Sequence, residues 1–98
     1  MARPKKIVVG IGWYRPQDWA RLREISVDRD NLEATHAEWV VQANRVVRQL
    51  EETGQACDRI VVDPEELLAW CRAHGCPVDG AARSRFVSEK VSGKPQEA

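Results

Sequence analysis

Cys71, His74 and Cys76 are the residues whose types and spacing come nearest to metal chemistry, with Cys57 and His36 elsewhere in the chain. Tetrahedral zinc sites present ligands in tight pairs such as Cys-x-x-Cys. The spacing here fits no common knuckle: Cys71 shares a helix stripe with Leu67, while Cys76 falls beyond the helix end. Buried thiols and a histidine near a helix C-terminus, where a cation is favoured, account for these residues better, and no metal is expected. Cys71 and His74 could touch at i and i+3. A core-facing thiol, however, lacks the access and the electropositive surroundings of a nucleophile. Glu51/Glu52 and Glu65/Glu66 are neighbours on helices, and adjacent helix residues do not face each other, so neither pair is a shared acid–base dyad. No catalytic residue and no cofactor is assigned.

The chemistry of recognition is richer. The stretch Ile7–Trp19, IVVGIGWYRPQDW, is apolar and β-branched and passes two glycines. It then exposes Trp13, Tyr14 and Arg15 ahead of a proline suited to the first turn of a helix. Tryptophan, tyrosine and arginine bury large area while keeping a polar handle, and they are the residue types enriched at interface hot spots. Gly12, Trp13, Tyr14 and Arg15 are therefore the candidate binding residues, with Arg21 and Arg23 as adjacent basic groups. Within such a strand the three residues alternate faces, so one aromatic can be core while its neighbour is exposed. Gly10-Ile11-Gly12 also invites a phosphate-loop reading, but the third glycine of a dinucleotide fingerprint would fall where Arg15 stands. An alternative function is thus a small-ligand or anion site, enzymatic or not, at the Gly10–Pro16 corner.

A second alternative is a nucleic-acid binder. The last two helices are joined by a short Gly-Pro turn, and the second carries Arg83, Arg85 and Lys90, the outline of a helix-turn-helix. Against it, Asp63, Glu65 and Glu66 crowd the start of the first of these helices, and fifteen basic side chains balance fifteen acidic ones. A specific DNA binder brings a pronounced basic patch. The charge is laid out in blocks: residues 1–23 are net +5, 24–38 net −4, 39–50 net +2, 51–66 net −5 and the remainder net +2. Solvated helix faces explain such blocks. A basic N-terminal face meeting an acidic face of another copy, or of an unidentified protein partner, explains them too.

The elements that must position these residues follow from periodicity. Ile7–Trp13 is read as a first strand with both faces covered. A helix over 16–25 should bury Trp19 and Leu22. Asp30 is read as the N-cap of a long second helix, which carries Leu32, His36, Trp39, Val40, Ala43, Val47 and Leu50 at three- and four-residue steps up to Gly54. Arg59–Asp63 is the second strand. Asp63-Pro64 opens a third helix ending at Gly75, and Asp79 caps a last helix to about Val91. Trp19, Trp39 and Trp70 are placed in the core. A helix of this length between two apolar runs suits a parallel crossover.

The fold expected is one small α/β domain over residues 1–91, ordered β-α-α-β-α-α, with a short parallel strand pair, four helices and a flexible tail over 92–98. No run of about 20 apolar residues is present, so no membrane segment is expected. The odd cysteine count and the lack of a cleavage site after the basic start suit a cytoplasmic protein. GIGWYRPQDW, the central EW and ELLAWCRAHGCPVDGAARSRFV together resemble a small bacterial protein family of unknown function. That resemblance implies a compact bacterial domain and brings no activity, cofactor or site residue. The reading reached is a non-enzymatic protein-interaction or self-associating module. Two strands leave edges in need of cover, which makes a homodimer the expected partner arrangement.

Overall fold

Two parallel strands and four helices build the protein, in the order expected from periodicity. The structure is a computed structural model and describes residues 8–92. The basic arm and the C-terminal tail named above lie largely outside that range. Strand β1 (Val8–Trp13) pairs with β2 (Ala56–Val61) from Val8 opposite Ala56 to Trp13 opposite Val61. A 3-10 turn at Pro16–Asp18 leads into helix α1 (Trp19–Ile25). The crossover between the strands is completed by α2 (His36–Glu52), and α3 (Pro64–His74) and α4 (Gly80–Ser92) follow β2.

The layout departs from expectation in three places, two of them element boundaries. Asp30 does not open the long helix: residues Arg29–Asn31 form a 3-10 turn, and α2 starts five residues later than a cap at Asp30 implies, at His36. Thr35 is the cap: its hydroxyl oxygen accepts from the Glu38 amide at 3.2 Å and its O–H donates to the Glu38 carboxylate at 2.9 Å. Thr-x-x-Glu is a capping-box spacing, and it outcompetes the earlier aspartate. The second strand runs over Ala56–Val61, earlier than Arg59–Asp63. Gly54, at φ +84°, turns the chain out of α2, and pairing with β1 then recruits Ala56-Cys57-Asp58 despite their weak strand preference. Asp63 is withdrawn from the strand because its carboxylate caps α3, accepting from the Glu65 amide at 2.8 Å. Lastly, β1 is only partly covered: Val8 is 43% exposed and the rest of the strand is half-buried.

The ends of α3 and α4 match their sequence signals. Gly75 takes the left-handed conformation at φ +64°, and the amides of Gly75 and Cys76 bond back to Arg72 O and Cys71 O at 3.2 and 3.0 Å. Asp79 accepts from the Ala82 amide at 2.9 Å. Helix α4 crosses the face of the sheet that carries Gly10 and Gly12. A Cβ on Gly10 would collide with Val91 Cγ2 and lie 3.1 Å from Val87 Cγ1, so α4 sits as close as a bare backbone allows. The main core gathers on this side around Leu22, Val62, Leu67, Cys71, Phe86 and Val87. Helix α2 reaches the opposite face, where Arg59 donates to Asn44 Oδ1 at 3.4 Å.

Candidate functional site

The strand β1 ends in an aromatic cluster. Trp39, projecting from the first turns of α2, is its hub: its ring centroid lies 5.0 Å from that of Trp13, 5.1 Å from Tyr14, 5.4 Å from Trp19 and 5.4 Å from His36. Edge and tilted contacts of this kind match the positive rim of one ring to the negative face of the next. Two polar tethers lock the cluster. His36 Nε2–H donates to the Tyr14 carbonyl at 2.6 Å, and Trp19 Nε1–H donates to the Glu33 carbonyl at 3.1 Å. The Arg59 guanidinium lies over the Trp13 ring, 4.7 Å from its centroid.

The four candidate binding residues separate here. Tyr14 is buried at 7% exposure, so the expectation that it stands exposed with its neighbours is corrected; alternation along the strand turns it into the core. Burial pushes its phenol up to about 12, against the pull of nearby Arg83 and with the push of Asp28. Trp13 is half-buried under Arg59. Arg15 is exposed, but its Nε donates to Asp18 at 2.7 Å, so the corner's cation already has its anion. Gly12 faces the Tyr14 hydroxyl and Val87: a Cβ there would lie 3.2 Å from each. Arg21 is likewise engaged, bridging Glu24 and Glu65. Trp19 is in the core as expected, whereas Trp39 and Trp70 are half-buried.

Beside β1 runs an open groove of about 510 Å³. Its floor is Gly10, Ile11 and Gly12, one wall is the Gly80, Ser84 and Ser88 side of α4, and Leu32, Trp39 and Tyr14 close the far end. A second hollow of about 310 Å³, lined by Val8, Val9, Gly10, Ser88 and Val91, continues it toward the start of the strand. Residues of both pleat faces of β1 line these hollows and no residue of β2 does. The groove therefore follows the free edge of the sheet rather than one of its faces. Sequence reasoning found its floor and its aromatic end but missed the wall. The signal was there: Gly80, Ser84 and Ser88 recur every four residues along one helix face.

Arg83 and Arg85, the residues of the nucleic-acid alternative, do not share a surface. Arg83 turns inward, donating to both Asp28 oxygens at 2.9 and 2.7 Å and to Ser26 Oγ at 3.1 Å. Burial alone would lower the Arg83 pKa, but the hydrogen bond and charge of Asp28 together with Tyr14 and Asp79 outweigh it and the net direction is up; Asp28 in turn is held below the usual carboxylate range by its hydrogen bond with Arg83. Arg85 lies over the Trp70 ring at 5.2 Å. Of the three cysteines only Cys71 is buried, and Cys57 and Cys76 are half-buried. Cys71, 1% exposed, has its thiol pushed up to about 11 by burial and by a hydrogen bond with Cys76. Among the described residues no group of three or more histidine, cysteine or acidic side chains could hold a metal ion, and no helix is long and apolar enough to cross a membrane. No protein-family model, curated protein or solved structure matches this chain, so each functional residue must be argued from its own geometry.

Proposed function

We propose that the protein is a non-enzymatic protein-interaction module that works by self-association, with the groove along the free edge of β1 as its contact surface. One observation carries the reading. A sheet of two strands has an open, half-buried edge beside a long groove. Polypeptide is the ligand that such an edge takes, since main-chain groups pair with main-chain groups and side-chain hollows fit alternate residues. A net charge of zero leaves no electrostatic barrier between copies. The corner polar groups that an anion or substrate would need are already paired, Arg15 with Asp18 and Arg83 with Asp28. That favours a surface built for packing over one built for chemistry.

The test is solution mass by light scattering across a concentration series. The expected outcome is a rise from the 11.1 kDa monomer toward twice that mass. Replacing Ser84 and Ser88 together by lysine should hold the mass at that of the monomer. Both serines are exposed, so the melting temperature of the dilute protein should stay within about 2 °C of the parent. A wild-type chain that stays monomeric up to millimolar concentration overturns self-association.

A further inference from the structure

We propose that Cys71 and Cys76 are a reversible oxidation site: Cys76 reacts first with a small-molecule disulfide such as oxidised glutathione, and Cys71 completes an internal disulfide across the end of α3. Neither cysteine lines the hollows beside β1, so this chemistry stands apart from self-association.

The turn that ends α3 sets the two thiols face to face. Gly75, in the left-handed conformation, reverses the chain, and the amides of Gly75 and Cys76 bond to Arg72 O and Cys71 O at 3.2 and 3.0 Å. These two bonds are the Schellman pair, a motif in which the side chain just past the glycine meets the one four residues before the glycine. Both of those positions hold cysteine here. The contact is made: Cys76 packs against the core cluster that contains Cys71, and the two thiols are hydrogen-bonded to each other. A disulfide spans Cα atoms about 4.4–6.8 Å apart, and residues joined directly by a main-chain hydrogen bond stand that close. The far side of the turn is fixed as well. Val78, 3% exposed, accepts from the Val27 amide at 2.9 Å. Closing the bond therefore asks for rotation about the two Cα–Cβ bonds and no movement of α3 against α4.

Access sets the order of events. Cys71 is 1% exposed, whereas Cys76 is half-buried. The Cys76 thiolate attacks one sulfur of the incoming disulfide, releases one small thiol and carries the other as a mixed disulfide. Cys71 then gives up its proton, and its sulfur attacks the Cys76 sulfur and expels the second small thiol. Two protein thiols lose two electrons and two protons, and one external disulfide gains them as two thiols. The Cys71 thiol, pushed up to about 11, is ionised in only about one part in 10³ at pH 8, so the second step quickens as pH rises. Cys57 stands apart on β2, its thiol donating to Gln55 O at 3.8 Å.

Trypsin reads the bond directly, because cleavage after Arg72 leaves Cys71 and Cys76 on separate peptides that only a disulfide can join. The whole reduced chain is incubated with oxidised glutathione at about pH 8, quenched in acid, alkylated and digested. The expected product is the joined pair, with Cys57 excluded from it and the two halves released by a thiol reductant. Cys76→Ser should leave Cys71 reduced under the same conditions, and Cys71→Ser should stop with glutathione carried on Cys76. The oxidised protein should melt about 5 °C above the reduced one, since a six-residue loop is then closed in the unfolded chain too. Native wild-type chains that keep Cys76 as a thiol or a glutathione adduct, and never yield the joined peptides, overturn the proposal. So does a joined pair that forms only once the chain is unfolded. Glutathione found on Cys71 in the Cys76→Ser protein overturns the order of the two steps, and a bond that lowers the melting temperature overturns the unstrained turn.

Discussion

At the scale of single residues, Tyr14 and Asp28 are where protonation and folding are coupled. Burial raises the Tyr14 phenol from 10 to about 12. The folded state thus holds this proton more tightly than the unfolded chain does, and its contribution is intact below pH 10. Between pH 10 and 12 that contribution, about 2–3 kcal/mol, drains away. The expected outcome is a steep alkaline loss of stability, blunted in Tyr14→Phe, read by chemical denaturation at stepped pH. Asp28 works in the opposite direction. Its pKa is depressed by Arg83, so its stabilisation is present above the unfolded carboxylate value of about 4 and is lost as pH falls through the lower, folded value. Asp28→Asn should cost about 3 kcal/mol at pH 7, because Arg83, with only 12% of its side chain exposed, loses its counter-charge. The penalty should shrink toward nothing in strong acid. Cys71 gives a third, chemical check. A thiol 1% exposed and pushed up to about 11 should remain unmodified by a thiol reagent at pH 8 in the native protein, and react once the chain is unfolded.

At the scale of elements, caps and close approaches decide the layout. Thr35→Ala should remove the side-chain acceptor of α2 and cost about 1 kcal/mol, measured by thermal unfolding. A larger effect is expected on β1, where Gly10→Val drives two methyls into Val87 and Val91 and should cost about 1–3 kcal/mol. The order of elements could be read from periodicity because α2, α3 and α4 carry their stripes and end signals in consecutive residues. Asp63, Pro64 and Gly75 state the whole of α3 locally. Two things could not be read this way. Ala56-Cys57-Asp58 is a strand only because β1 lies beside it, and that is a contact between residues 48 apart in sequence. The inward turn of Arg83 depends on Asp28, 55 residues away, so a helix wheel shows a basic residue and not its partner. The candidate site divides the same way: Gly12, Trp13 and Arg15 were legible as a corner, and Gly80, Ser84 and Ser88 as one helix face, but that this face forms a wall beside β1 needed the tertiary path of α4.

At the scale of the whole molecule, the two-strand sheet is the weak point of an otherwise ordinary core. Parallel pairs are normally flanked by further strands and covered on both faces, and this pair has neither in full. If a second copy completes the sheet, folding and association share one free energy. The melting temperature should then climb with protein concentration, and the Ser84→Lys, Ser88→Lys protein should melt at a single temperature whatever its concentration. Scanning calorimetry at several concentrations measures both. Helices α1 and α3, bridged by Arg21 and Glu65, lie outside the groove and should not feel its occupation.

The missing side chain at Gly12 has one more consequence. The spacing between β1 and α4 is a wedge held shut by the lack of a single methyl: Cβ at this position would meet Val87 and the Tyr14 hydroxyl at 3.2 Å each. A methyl there would not break the fold so much as lever the helix outward by a few tenths of an ångström. Gly12→Ala thus becomes a tuning screw for the mouth beside the strand, and its effect on pairing can be graded separately from its effect on folding.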